Sequence, residues 1–216
     1  MRTLIVTGTD TGVGKTVVTA AIAAAALAKG LRVAVLKPAQ TGDDDDARDI
    51  ARLSGAATRT LVSYPDPLAP YTAARVAGLP ALRMADVVAE AGRTEADLLL
   101  VEGAGGLLVQ LGEDGWTAAD LCAALAAEPV VVARAALGTL NHTALTLEAL
   151  ERRGLGGRVV IGAMPGERKL VHETNLHDLT VLTGGLAGIV PEGAPVLPGF
   201  AEAAPGWLSP GLYGTW

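Results

Sequence analysis

Nothing in this chain narrows its possible folds as much as the stretch Gly8-Thr9-Asp10-Thr11-Gly12-Val13-Gly14-Lys15-Thr16. Before it runs Thr3-Leu4-Ile5-Val6-Thr7, apolar and rich in β-branched residues, which reads as a buried strand. After it, Thr16 to Ala28 is almost wholly Ala, Val, Ile and Leu and reads as a buried helix that Gly30 ends. A strand, a glycine-rich turn and a helix opening on Lys-Thr form the setting of a phosphate-binding loop. Amides of the turn and the free amides of the helix start converge on one concavity that attracts polyphosphate oxygens. Thr11, Gly12, Val13, Gly14, Lys15, Thr16 and Val17 are therefore the expected nucleotide-binding set. Lys15 adds a full charge for the outer phosphates, and the Thr16 hydroxyl suits Mg²⁺. The strict motif wants glycine at position 9, where threonine stands, with Gly8 one residue earlier.

Continuing from the helix, Leu31 to Pro38 reads as a second buried strand that ends at Lys37. Strand, helix, strand in this rhythm implies a right-handed crossover and a parallel sheet. Ligands of such sheets gather beyond the carboxyl ends of the strands, which puts Lys37 beside the phosphate loop unless it merely reaches for solvent. Four aspartates, Asp43 to Asp46, follow Gln40-Thr41-Gly42. Such a run is usually a solvated loop, yet Asp46 heads the next helical stretch, through Leu53, and is the best candidate for a Mg²⁺ ligand. The segment from Tyr64 to Pro80 carries four prolines and reads as a loop over the sheet edge, with no helix before Thr72. A helix from Met84 to Ala91 leads to the strand Asp97 to Val101, which closes on Glu102-Gly103-Ala104-Gly105-Gly106. A carboxylate there, followed by glycines, can hold a nucleotide-bound Mg²⁺ while the backbone passes close to phosphate.

Thr117-Ala118-Ala119-Asp120 fits a capping box opening a helix. Pro129 to Ala133 is another apolar strand; Gly138-Thr139 looks like a helix start that favours an anion, and a clear helix runs from Ala144 to Arg153. His142, His172 and His177 read as structural or surface residues. Arg158 to Ala163 and Leu186 to Val190 are further strands around a helical region from Arg168 to Leu182, and the aromatics Trp207, Tyr213 and Trp216 pack on the body or on an adjacent subunit.

With 216 residues, half of them hydrophobic, the chain can bury a sizeable core, and without repeat or linker it reads as one α/β domain over 1–216. The expected architecture is P-loop NTPase-like, a mainly parallel sheet flanked by helices on both faces. A net charge of −6 without a basic block argues against a nucleic-acid surface. The longest apolar tract, Val17 to Ala28, is too short to span a bilayer, so no membrane role is expected. The one cysteine, Cys122, cannot form an internal disulfide, and no signal peptide precedes the first strand, so a cytoplasmic setting is expected.

Several of these stretches together resemble the dethiobiotin synthetases, ATP-dependent enzymes of biotin synthesis. The match comprises the loop from Gly8 to Thr16, Lys37-Pro38 with Thr41-Gly42, Val101 to Gly106, and Gly138-Thr139-Leu140-Asn141-His142, in the family's order. That family's loop also has threonine at the position of Thr9. The resemblance implies that 7,8-diaminopelargonate and CO₂ form a carbamate, that ATP phosphorylates it, and that the second amine closes the ureido ring. It places Thr11, Lys15 and Lys37 around the carbamate and the transferring phosphate, with Thr41 lining the substrate site. Thr16, Asp46 and Glu102 would hold Mg²⁺, and Gly105 would pass close to the nucleotide. Members are homodimers, so Gly138, Thr139, Leu140 and Asn141 would grip the substrate carboxylate of the partner subunit. Better-known members carry an adenine-reading asparagine after the sixth strand, where this chain has Gly162-Ala163-Met164-Pro165. Backbone groups around Gly162, Pro191, Gly193 and Ala194 are expected to meet the base instead, which admits nucleoside triphosphates other than ATP.

Two other classes share the architecture. Partner-switching ATPases of the MinD and ParA kind usually carry a lysine where this chain has Asp10, and amidoligases need a glutaminase cysteine that Cys122 does not supply.

Overall fold

The structure is a computed structural model, and it describes residues 1–214. Its centre is one seven-stranded sheet in the order β3-β2-β4-β1-β5-β6-β7. The strands are β1 (Arg2–Gly8), β2 (Val33–Thr41), β3 (Ala57–Tyr64), β4 (Leu98–Gly106), β5 (Glu128–Ala133), β6 (Arg158–Met164) and β7 (Gly188–Pro191). All pairings between them are parallel. Strand β1 lies between β4 and β5 and carries the unbroken apolar run Leu4-Ile5-Val6 because both of its faces are covered.

Helices cover the two faces with the alternation of β1. Leu4 and Val6 join the core under α1 (Lys15–Ala28) and α2 (Asp46–Ser54). Ile5 joins the opposite core, formed with α3 (Pro70–Ala77), α4 (Met84–Arg93), α5 (Ala118–Leu125) and α6 (Thr139–Glu151). Helix α1 is buried nearly all round, which explains its alanine content: only small side chains let it sit between the sheet, α2 and the C-terminal segment. A further helix, α7 (Leu170–Thr183), packs Leu179 against Ile161 and Met164 of β6. The short α8 (Phe200–Ala203) and the turns after it fold back on α1. Phe200 meets Trp207 edge to face at 5.2 Å, and Tyr213 is buried in the α1 core. These aromatics thus pack on the body of the chain; Trp216 lies outside the described residues.

Several expected boundaries change. Strand β2 begins at Val33 and continues past Pro38 to Thr41. Proline is tolerated there because β2 leaves β4 after Leu36, so the missing N–H forfeits no bond on that side. The edge strand β3 was not anticipated at all; its alternating, half-exposed Ala-Thr-Arg-Thr-Leu-Val-Ser-Tyr lacks the apolar run of a central strand. The segment expected to stay a loop until Thr72 becomes helix α3 at Pro70, where proline at the first turn loses nothing because that amide is unbonded in any helix. Helix α6 begins at the helix start expected at Gly138-Thr139, so the stretch from Ala144 is its continuation, and β7 is shifted to Gly188–Pro191. The capping box of Thr117 and Asp120 is present.

Candidate functional site

The phosphate loop leaves β1 at Gly8 and enters α1 through Gly14, the N-cap. Gly14 has φ 97°, a left-handed conformation, and a side chain there would fall 2.8 Å from the carbonyl of Gly162. Gly162 is in turn pressed against the Val13 carbonyl, so it buttresses the loop from β6. Val13 points its side chain into the core and offers only its backbone to a ligand.

Beyond the carboxyl ends of β1, β2 and β4 lies a cavity of about 390 Å³, large enough for a ligand of the size such clefts hold. Thr11, Gly12, Gly14, Lys15, Thr16 and Val17 line one wall, and Lys37, Thr41, Asp46, Glu102 and Gly105 the other. The phosphate, metal and substrate residues expected from Thr11 to Gly105, all but Val13, thus converge on one space.

The charges in it form a closed network. Lys37 directly follows the part of β2 that pairs with β4, and its ammonium is 2.5 Å from Asp46 Oδ2 and 2.8 Å from Glu102 Oε1. The Thr16 hydroxyl joins the same carboxylates, at 2.8 Å from Asp46 Oδ1 and 3.1 Å from Glu102 Oε1. The side chains of Lys37 and Glu102 are 4% and 0% exposed, so neither charge could be sustained there without the other. Burial pulls the Lys37 ammonium down, but attraction to Glu102 and Asp46 outweighs it and leaves the group above its ordinary value. Burial works against the Asp46 carboxylate too, and the Lys37 charge with the Lys37 and Thr16 hydrogen bonds holds it below its ordinary value. Lys15 is lowered, chiefly by burial, and its ammonium rests on the Asp10 carbonyl at 3.1 Å.

The donor set suits a hard divalent cation. Glu102 Oε2 is buried with no hydrogen-bond partner, an acceptor left for something positive. Two carboxylates and one hydroxyl, with no cluster of three or more His, Cys, Asp or Glu among the described residues, fit Mg²⁺ completed by phosphate oxygens and water better than an all-protein metal cage.

Of the aspartate run, Asp45 caps α2 by accepting from the Arg48 amide at 3.0 Å, and Asp43 and Asp44 are exposed. Sequence reading overlooked Gln40. Its amide oxygen accepts from the Asp46 backbone N–H at 3.2 Å and so fixes where α2 presents its carboxylate. Asp44, read as part of the solvated run, is exposed as expected but lies beside the cavity. The residues expected at the base, Gly162, Pro191, Gly193 and Ala194, stand at the ends of β6 and β7 and do not line this cavity. Nor do Gly138, Thr139, Leu140 and Asn141, at the start of α6. Thr139 is buried with its hydroxyl inward, whereas Asn141 is exposed.

A family profile described as an AAA domain matches residues 2–192. The "ATP-dependent dethiobiotin synthetase BioD" of Streptomyces avermitilis is 52% identical over 100% of this chain and 95% of its own length. The protein of the same name from Rhodococcus jostii is 53% identical over 96% of this chain and 95% of its own. Among solved structures, the septum site-determining protein MinD complexed with Mg-ADP from Pyrococcus horikoshii superposes with a TM-score of 0.56, at 16% identity. That comparison covers 94% of this chain and 86% of the other. The MinC:MinD complex of Aquifex aeolicus gives 0.57 at 14% identity, covering 94% and 86%. These last two are likenesses of fold alone.

Proposed function

Because the chain belongs to the dethiobiotin synthetase family of ATP-dependent ligases, we propose that its cavity closes the ureido ring of dethiobiotin from 7,8-diaminopelargonate, CO₂ and ATP. The observation that carries the reading is Lys37, a buried ammonium held by Asp46 and Glu102 at the mouth of the phosphate loop.

A carbamate, formed when one substrate amine takes up CO₂, is a poor electrophile because its two oxygens share a negative charge and, with the nitrogen, donate electron density to the carbon. Attack of a carbamate oxygen on the γ-phosphorus of ATP makes a carbamic-phosphoric anhydride and releases ADP. The second amine then attacks the carbonyl carbon, the C–O bond to phosphate breaks, and the ring closes as phosphate leaves and the attacking amine loses a proton. This chemistry needs charge neutralisation and alignment rather than a protein nucleophile. Lys15 and Lys37 supply two ammonium groups on either side of the transferring phosphoryl, and Thr11 orients the carbamate. Thr41 lines the substrate side. Thr16, Asp46 and Glu102 would hold Mg²⁺, which draws charge from the phosphate oxygens when bound.

The substrate carboxylate is gripped in a homodimer by the α6 start of the partner subunit, Gly138 to Asn141, where first-turn amides lack intrahelical acceptors. The base is met by backbone groups near Gly162, Pro191, Gly193 and Ala194, a mode that admits other nucleoside triphosphates. The chain acts as one domain in the cytoplasm; among the described residues no helix is long and apolar enough to cross a membrane.

The test is phosphate release from Mg-ATP and bicarbonate with and without 7,8-diaminopelargonate, repeated with CTP and GTP. Release that requires the diamine supports the reading. Release indifferent to the diamine, or none with any nucleotide, removes it.

A further inference from the structure

One acid lies within the phosphate loop, and its side chain does not face a metal. Asp10 Oδ1 accepts the Thr11 N–H at 2.7 Å, its backbone carbonyl takes the Lys15 ammonium at 3.1 Å, and Oδ2 is 2.5 Å from the Arg134 guanidinium. Arg134 follows β5 directly, and the end of β5 is tied to the loop a second time, through the Thr9 N–H on the Val132 carbonyl at 2.9 Å. Arg134 Nε is buried without an acceptor, which makes the Asp10 carboxylate the main anchor of that side chain.

A carboxylate in a loop that must receive a polyphosphate is electrostatically misplaced. It repels the ligand, and if free to turn it competes with phosphate for the ammonium of Lys15. The pair with Arg134 cancels its charge and fixes its rotamer, so that Asp10 shapes the turn through Thr11 and presents only its carbonyl to Lys15. We propose that Arg134 is a positioning residue for nucleotide binding that acts through Asp10: it neutralises the loop's one carboxylate and holds the turn in the conformation that receives phosphate. This deepens the nucleotide-site reading above and rests on it.

The test is calorimetric titration of the full chain with ATP and Mg²⁺, alongside its melting temperature. Arg134→Gln leaves Asp10 uncompensated and should weaken ATP binding about tenfold, the order of effect of one partly screened unit charge near a polyphosphate. The melting temperature should barely move, because the pair is partly exposed and such pairs contribute little to stability. Arg134→Lys should recover much of the affinity. The distinguishing variant is the double change Asp10→Asn with Arg134→Gln. Asparagine keeps an oxygen for the Thr11 amide but carries no charge, so it should bind ATP better than Arg134→Gln alone. A purely structural role for Arg134 predicts no such rescue. Wild-type affinity in Arg134→Gln, or no rescue by Asp10→Asn, overturns the proposal. Failure of the unaltered protein to bind any nucleotide overturns the nucleotide-site reading and this inference with it.

Discussion

Lys37 and Glu102 are charged residues inside a protein, and each is tolerable only because of the other. Lys37→Ala therefore has two separable consequences. Turnover should fall by two orders of magnitude or more while ATP still binds, because the phosphate loop is untouched. The nucleotide-free protein should also lose about 3–5 kcal/mol of stability, since two carboxylates are left facing each other. Steady-state kinetics beside denaturant titration checks both, and unchanged turnover would remove Lys37 from the mechanism. Glu102→Gln keeps the shape but removes a charge, so it should raise the Mg²⁺ concentration needed for half-maximal rate; a normal metal titration would sink that assignment. Cys122 offers an independent check on burial. Its thiol is fully enclosed and pushed up to about 12 by burial, so thiol reagents should label it only after unfolding. At this scale the site was largely legible in the sequence. Lys15 and Thr16 open α1, Asp46 opens α2, and Lys37 and Glu102 stand just past the point where β2 and β4 stop pairing, positions that the parallel-sheet rule gathers at one edge. Gln40 and Arg134 were not legible, because they act through contacts made across the fold rather than through a motif.

Among the elements, those with strong local signals were read well and those shaped by tertiary context were not. The β1–loop–α1 unit and the α5 cap follow from local chemistry. For that reason Thr117→Ala should destabilise the protein by about 1 kcal/mol, read by thermal or urea melting. Strand β3 escaped notice because an edge strand needs only one buried face, and α3 because the prolines around it mask a start at Pro70. The entry to β2 and β4 carries its own pH signature. Asp97 accepts both the backbone N–H and the guanidinium of Arg32, and these bonds hold its carboxyl at about 2. A carboxyl depressed in the folded state contributes stability that is fully present above its unfolded value of 3.8 and is lost progressively as pH falls from there through about 2. Carboxyl chemical shifts followed by NMR should place its midpoint near there; a midpoint near 3.8 would show that the pair does not persist in solution.

For the whole molecule, the resemblance read from four stretches is matched by relatives about half identical along nearly their full length. The family and the parallel α/β architecture were thus accessible from the sequence. The homodimer that the resemblance implies is proposed through α6, whose first residues do not line the cavity of their own chain and would serve a second subunit. Sedimentation equilibrium should find a dimer, and Asn141→Ala should raise KM for the diamine more than KM for ATP. A monomer with full activity would remove the shared-site arrangement. The most direct test of the central claim, that a carbamate oxygen is phosphorylated in this cavity, follows oxygen atoms. In a brief turnover with ¹⁸O-labelled bicarbonate, Mg-ATP and 7,8-diaminopelargonate, one ¹⁸O should pass into inorganic phosphate while dethiobiotin keeps one in its ureido carbonyl. Unlabelled phosphate, or phosphate released without the diamine, would contradict it.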